Sequence, residues 1–161
     1  TIIQAFLDLK DIDWTLEIAG IIEKSLLDKY PEFFAKKNVK VLGMLARSDL
    51  ATCMRNNEVF LFPSRAEGSA RVIFEALASG CYVITTHNSG SIVENEIHGE
   101  IVTIGSPQAI SIAVTNAFHQ REKIWNIGEK NRKLVISNYT QNFYGDSLEV
   151  LYKKLIQQKT G

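Results

Sequence analysis

At 161 residues, with 45% hydrophobic and 22% charged side chains, the chain has the size and composition of one globular domain with a buried core, which excludes a disordered segment. Its 18 Lys and Arg balance 18 Asp and Glu, so nothing supplies the basic stripe that nucleic acid binding requires. No apolar run reaches the roughly 18 to 20 residues that span a bilayer, and Cys53 and Cys81 stand in apolar contexts without metal-ligand spacing, which fits reduced core thiols in a cytosolic setting.

Residues 1–9 read as the middle of an amphipathic helix with no cap and no strand before it, as in a piece excised from a longer protein. Short apolar, β-branched runs then predict strands over 15–19, 39–42, 59–62, 82–85 and 101–104. Between them, residues 21–35 read as one helix, Ser48 caps a second over 49–56, and a third covers 70–79. A short helix is expected from Ser91 through Glu96. Ser106 followed by Pro107 is a stronger start signal, because Ser caps unpaired amides and Pro has no amide to leave unsatisfied at the first helical position. That helix is expected to reach about His119, and residues 124–139 and 143–158 complete a helical C-terminal quarter. Alternating strands and helices predict an α/β fold with a parallel, Rossmann-like sheet flanked by helices.

The chemistry concentrates in the stretch from Phe62 to Gly80. A strand ending at Phe62 leads through Glu67-Gly68-Ser69-Ala70 into the helix over 70–79. Such a joint aims the first unpaired helical amides at the crevice beyond the strand ends, and the helix dipole adds a preference for phosphate. Gly68 permits close backbone approach, which the small Ser69 and Ala70 extend. On a helical wheel Val72, Ile73, Ala76 and Leu77 form the buried face, and Glu75 lies on the flank within reach of the crevice. A carboxylate there suits a vicinal diol, since each of its oxygens accepts a hydroxyl hydrogen bond. A solvated helix flank and an ordinary acidic loop describe the same residues, and spacing alone leaves both readings open.

Pro63-Ser64-Arg65-Ala66-Glu67-Gly68 through Glu75-Ala76-Leu77-Ala78-Ser79-Gly80, then Val83-Ile84-Thr85-Thr86, Ser89-Gly90 and Glu94, resembles the E-x7-E signature and its flanks in family four of the retaining glycosyltransferases, enzymes of the GT-B fold. A weaker likeness extends to the segments ending at Gly20 and Gly43 and from His98 to Gly105. The resemblance implies a C-terminal domain that binds a UDP-, GDP- or ADP-sugar and helps transfer its hexose with retention, with no cofactor and no required metal. It implies that Glu67 meets the transferred sugar and Glu75 the ribose. Backbone amides of Gly68, Ser69 and Ala70 would serve the sugar and diphosphate, and Met44 and Leu45 the base. Ser64, Gly20 and Gly90 are further donor-side candidates, Gly90 through amides facing the diphosphate. Arg65 and Arg71 are the cations near the motif, each equally readable as a solvent-facing side chain.

Two departures limit the likeness. Ile21-Ile22 replaces a second glycine usual after Gly20. The family's central first strand, with the Arg and Lys that neutralise the diphosphate, would precede Thr1, so the sheet is expected to lack that strand. Residues 1–161 are then one nucleotide-sugar-binding domain of a longer two-domain enzyme whose N-terminal domain takes an acceptor glycan or glycolipid, such as a cell-surface polysaccharide. That enzyme is expected in the cytoplasm, with peripheral association at the cytoplasmic face of a membrane, and the isolated chain is expected to be inactive. A sugar-nucleotide epimerase of the same fold and a non-catalytic nucleotide-binding module remain alternatives. His87, His98 and His119 lie apart, without partners at metal or triad spacing.

Overall fold

The predicted runs over 15–19, 39–42, 59–62 and 82–85 form strands, the fifth strand begins before the run expected for it, and each strand is parallel to its neighbour, as helical crossovers between them allow. The computed structural model describes residues 1–159, and side chains through residue 157. In chain order it contains α1 (Ile2–Leu7), β1 (Leu16–Ala19), α2 (Lys24–Lys29), α3 (Pro31–Phe34), β2 (Val39–Gly43), α4 (Arg47–Arg55), β3 (Val59–Phe62), α5 (Arg71–Ala78) and β4 (Tyr82–Thr85). A 3-10 turn at His87–Ser89 leads to β5 (Gly99–Ile101), α6 (Pro107–His119), α7 (Arg121–Asn138) and α8 (Gln141–Lys159).

The strands form two sheets, one of β1 and β2 and one ordered β3-β4-β5. β1 and β3 each have an unpaired edge. They nevertheless adjoin one core, where Leu16, Ile18 and Leu61 pack against the cluster of Ile3, Phe6, Phe33 and Val39. β4, central in its sheet, is buried along its whole length, which explains its unbroken Tyr-Val-Ile-Thr run. Beneath it the buried Asn131 of α7 donates through Nδ2 to the carbonyls of Cys81 (3.1 Å) and His98 (2.7 Å), fastening the helix to the residues that lead into β4 and β5.

Several element boundaries differ from those expected. The single helix over 21–35 is two short helices, because Pro31 lacks an N–H and its ring drives Tyr30 out of helical geometry, to φ −129 and ψ 49. The last strand is Gly99–Ile101 rather than 101–104. Gly99 pairs with Val83 so closely that a Cβ would lie 1.8 Å from the Val83 carbonyl oxygen, and β4 ends at Thr85, leaving nothing to pair with beyond Val102. Ser48 is not a cap, since α4 begins one residue earlier with Ala46 at the N-cap. No helix forms over 91–96; the 3-10 turn precedes it, and Glu96 at φ 63 interrupts helical geometry. The Ser106 cap forms as expected, its Oγ accepting from the Ala109 amide at 3.1 Å.

Candidate functional site

Parallel strands finish at a common end, so the loops after β3 and β4 lie side by side and form one knot. Thr86, fully buried, donates from Oγ1 to the Ser64 carbonyl (2.5 Å), and Asn88 Nδ2 donates to the Arg65 carbonyl (2.9 Å). In return the amides of Glu67 and Ala70 donate to the carbonyls of Asn88 (2.8 Å) and Ser89 (3.2 Å). Gly90 completes the knot in the left-handed conformation, φ 59. A Cβ there would stand 2.2 Å from the Gly68 carbonyl oxygen. The loop carrying Glu67 is therefore held on both flanks before any ligand arrives.

This arrangement corrects one expectation. The Ala70 amide already serves Ser89, so it is not among the amides that face the crevice. Among the described residues the amides of Gly68 and Ser69 have no acceptor, and both residues are exposed. α5 then starts without a side-chain cap; the Ile73 amide donates to the Ala70 carbonyl at 2.9 Å, and the amides of Arg71 and Val72 and the helix dipole are left open to an anion. Glu67, Arg65 and Arg71 are exposed around this opening, and Ser64 is half-buried beneath it.

A second turn follows β2 and leads into α4. Gly43 ends β2 at φ 66, and its carbonyl accepts from the Gly20 amide at 2.8 Å, tying the ends of β1 and β2 together. Gly20 thus shapes the turn through a bond that occupies its own amide. Beyond it Met44 is 73% exposed and Leu45 half-buried. Of the four residues the helical wheel assigns to the buried face of α5, Ile73, Ala76 and Leu77 are fully buried and Val72 is half-buried, while Glu75 sits on the flank.

Glu75 has a partner that sequence reasoning missed. Arg47, the first residue of α4, places Nη2 3.4 Å from Glu75 Oε1. The side chains are 77% and 42% exposed, and a pair so solvated contributes about 0 to 1 kcal/mol. A cation in the first helical turn opposes the dipole by about 0.3 to 1 kcal/mol, so the two effects nearly cancel. The sequence signal was that misplaced cation at a helix start, 28 residues before Glu75.

The titratable groups moved from their ordinary range lie elsewhere. Asn57, Lys40 and Cys53 all donate to the Glu17 carboxylate and hold its pKa below the usual range. Burial, with Glu96 nearby, pushes Glu100 up, and burial raises the Tyr82 hydroxyl and the Cys81 thiol to about 12 each. Tyr82 and Glu100 line a hollow of about 290 Å³ between α6 and α7, together with Asn116 and Lys123. Among the described residues no group of three or more His, Cys, Asp or Glu side chains is placed to hold a metal ion, and no helix is long and apolar enough to cross a membrane.

Known proteins share both the sequence pattern and the architecture. The family model described as "Glycosyl transferases group 1" matches residues 1–134. The capsular polysaccharide biosynthesis glycosyltransferase CapM of Staphylococcus aureus is 28% identical over 148 residues, 91% of this chain and 39% of that protein. A glycosyltransferase from Rickettsia africae superposes with a TM-score of 0.83 at 20% identity, over 96% of this chain and 43% of its own. HepE of Anabaena, solved with UDP and glucose, superposes with a TM-score of 0.81 at 20% identity, over 94% of this chain and 44% of its own. The chain thus spans about two fifths of the length of these relatives. Their shared architecture is that of GT-B glycosyltransferases, and with the family model covering most of its length the chain belongs to the group 1 glycosyl transferases.

Proposed function

We propose that this chain is the donor-binding half of a two-domain enzyme that transfers a hexose, with retention, from a nucleoside diphosphate to an acceptor glycan or glycolipid. The observation that carries the reading is the braced joint between β3 and α5. It presents Glu67, the unbonded amides of Gly68 and Ser69 and the uncapped start of α5 in one exposed opening. UDP and glucose in the HepE structure, and the capsular polysaccharide role of CapM, support a nucleotide-sugar donor and a surface-polysaccharide acceptor.

In this reading the diphosphate lies against the start of α5. The bond between the sugar's anomeric carbon and the diphosphate oxygen breaks as the acceptor hydroxyl oxygen bonds to that carbon, and the hydroxyl proton passes to the departing diphosphate. Negative charge grows on the leaving diphosphate, where fixed amides and the helix dipole stabilise it without reorganising. Arg65 and Arg71 add mobile positive charge. Glu67 orients the hexose, Glu75 accepts from the ribose hydroxyls, and Met44 and Leu45 flank the base. Ser64 and Gly90 act by shaping the loop. The enzyme works in the cytoplasm, associated peripherally with the membrane face where its acceptor is built, and the isolated chain transfers no sugar because the acceptor half is absent.

The decisive measurement is nucleotide affinity of the two-domain enzyme with Glu75→Ala. Loss of charge-assisted bonds to a diol weakens binding by about tenfold to a hundredfold. An unchanged affinity would overturn the ribose assignment. Turnover of a nucleotide sugar onto an acceptor by the purified 161-residue chain would overturn the division of labour.

A further inference from the structure

α4 begins at Arg47 immediately after the turn Gly43-Met44-Leu45-Ala46, so its guanidinium stands at the junction between that turn and the flank of α5. There Nη2 meets only Oε1 of Glu75, at 3.4 Å, and Oε2 has no partner among the described residues. The fold gains little from this contact, since both side chains are solvated and the helix dipole works against a cation at that position. A glutamate on an exposed helix flank otherwise samples several rotamers, and ordering it on a ligand opposes binding. Its charge also repels a diphosphate nearby.

We propose that Arg47 is a positioning residue for the donor. It holds Glu75 by one oxygen, presents the other to a vicinal diol of the nucleotide's ribose, and offsets the carboxylate's repulsion of the diphosphate. The inference rests on the ribose reading of Glu75 given above. A guanidinium suits the task because its planar fork stays charged at any working pH and fixes direction as well as charge.

The test is steady-state kinetics of the two-domain enzyme with its nucleotide sugar and with the 2′-deoxyribose analogue of that donor. Arg47→Ala should raise the donor KM about threefold to fivefold, the size an exposed ion pair allows, with kcat little changed. Arg47→Lys should recover part of the loss, and the melting temperature should not move. The effect should shrink with the 2′-deoxy donor, which a purely structural role would not produce. It should also vanish in a Glu75→Gln background, because the two residues act as one unit. If Glu75→Gln raises KM while Arg47→Ala does not, or if the two effects simply add, the Arg47 inference is overturned and the ribose reading stands. If neither substitution alters KM, the ribose reading falls and takes the inference with it.

Discussion

Gly68 and Gly90 meet at the Gly68 carbonyl, yet a side chain would be tolerated at one and not at the other. Gly90 lies at φ 59, and an added Cβ would stand 2.2 Å from the Gly68 carbonyl oxygen, whereas a Cβ on Gly68 itself would meet nothing within 4 Å. Gly90→Ala should therefore destabilise the fold by about 1 to 3 kcal/mol through the strained backbone alone, and it should weaken nucleotide binding by displacing the Glu67 loop. Gly68→Ala should leave the melting temperature unchanged. Thermal melts of both variants check this, and equal losses would show that the loop is not braced as described. The motif made Gly68 and Gly90 candidates as ligand-facing backbone. Only the packed structure separated a residue at the opening from one that holds the opening in place. For the same reason the partner of Arg47 was not legible: a cation at a helix start marks the residue, but no local pattern links it to a glutamate 28 residues away.

At the scale of elements, local chemistry decided wherever it was unambiguous. Ser106-Pro107 begins α6 as expected, and the Ser106 Oγ accepts from Ala109. Ser106→Ala should cost about 1 kcal/mol and lower the melting temperature by about 2 to 4 °C, with no effect on nucleotide affinity because α6 does not touch the joint. A melt unchanged by the substitution would mean the cap is dispensable. Ser48 carried the same capping chemistry but lies inside α4, because the chain leaves the Gly43 turn early enough for Ala46 to be the last non-helical residue before the helix. Apolar periodicity ran unbroken across Pro31, yet a missing amide and a displaced Tyr30 outweigh it. β3 and β4 were readable as continuous apolar, β-branched and aromatic runs, and β1 and β2 as short runs in which Glu17 and Lys40 alternate with apolar residues. The extent of β5 was not, since it depends on where β4 stops.

Across the whole molecule, the two sheets are joined by a polar contact as well as by the apolar core. Glu17 of β1 accepts from Asn57 Nδ2 at 2.9 Å, just before β3, from Lys40 Nζ at 3.0 Å and from the Cys53 thiol at 3.3 Å. These donors hold its folded-state pKa below the ordinary carboxylate value. A depressed carboxylate stabilises the fold above its unfolded-state pKa, and that contribution is lost as pH falls through the lower, folded value. Glu17→Gln should therefore reduce stability at neutral pH and flatten the acid limb of stability against pH, measured by denaturant melts from neutral to acidic conditions. A parallel downward shift at every pH would show that the ionised carboxylate is not the source. By itself, the sequence determined the alternation of parallel strands and helices, the buried face of α5 and the joint carrying Glu67 and Glu75, because these follow from side-chain periodicity and turn chemistry within about twenty residues. Tertiary structure alone decided the division into two sheets, which amides of the joint stay open, and the meeting of Arg47 with Glu75. Each of these depends on which distant backbone or side chain occupies the neighbouring space, and no local pattern encodes that.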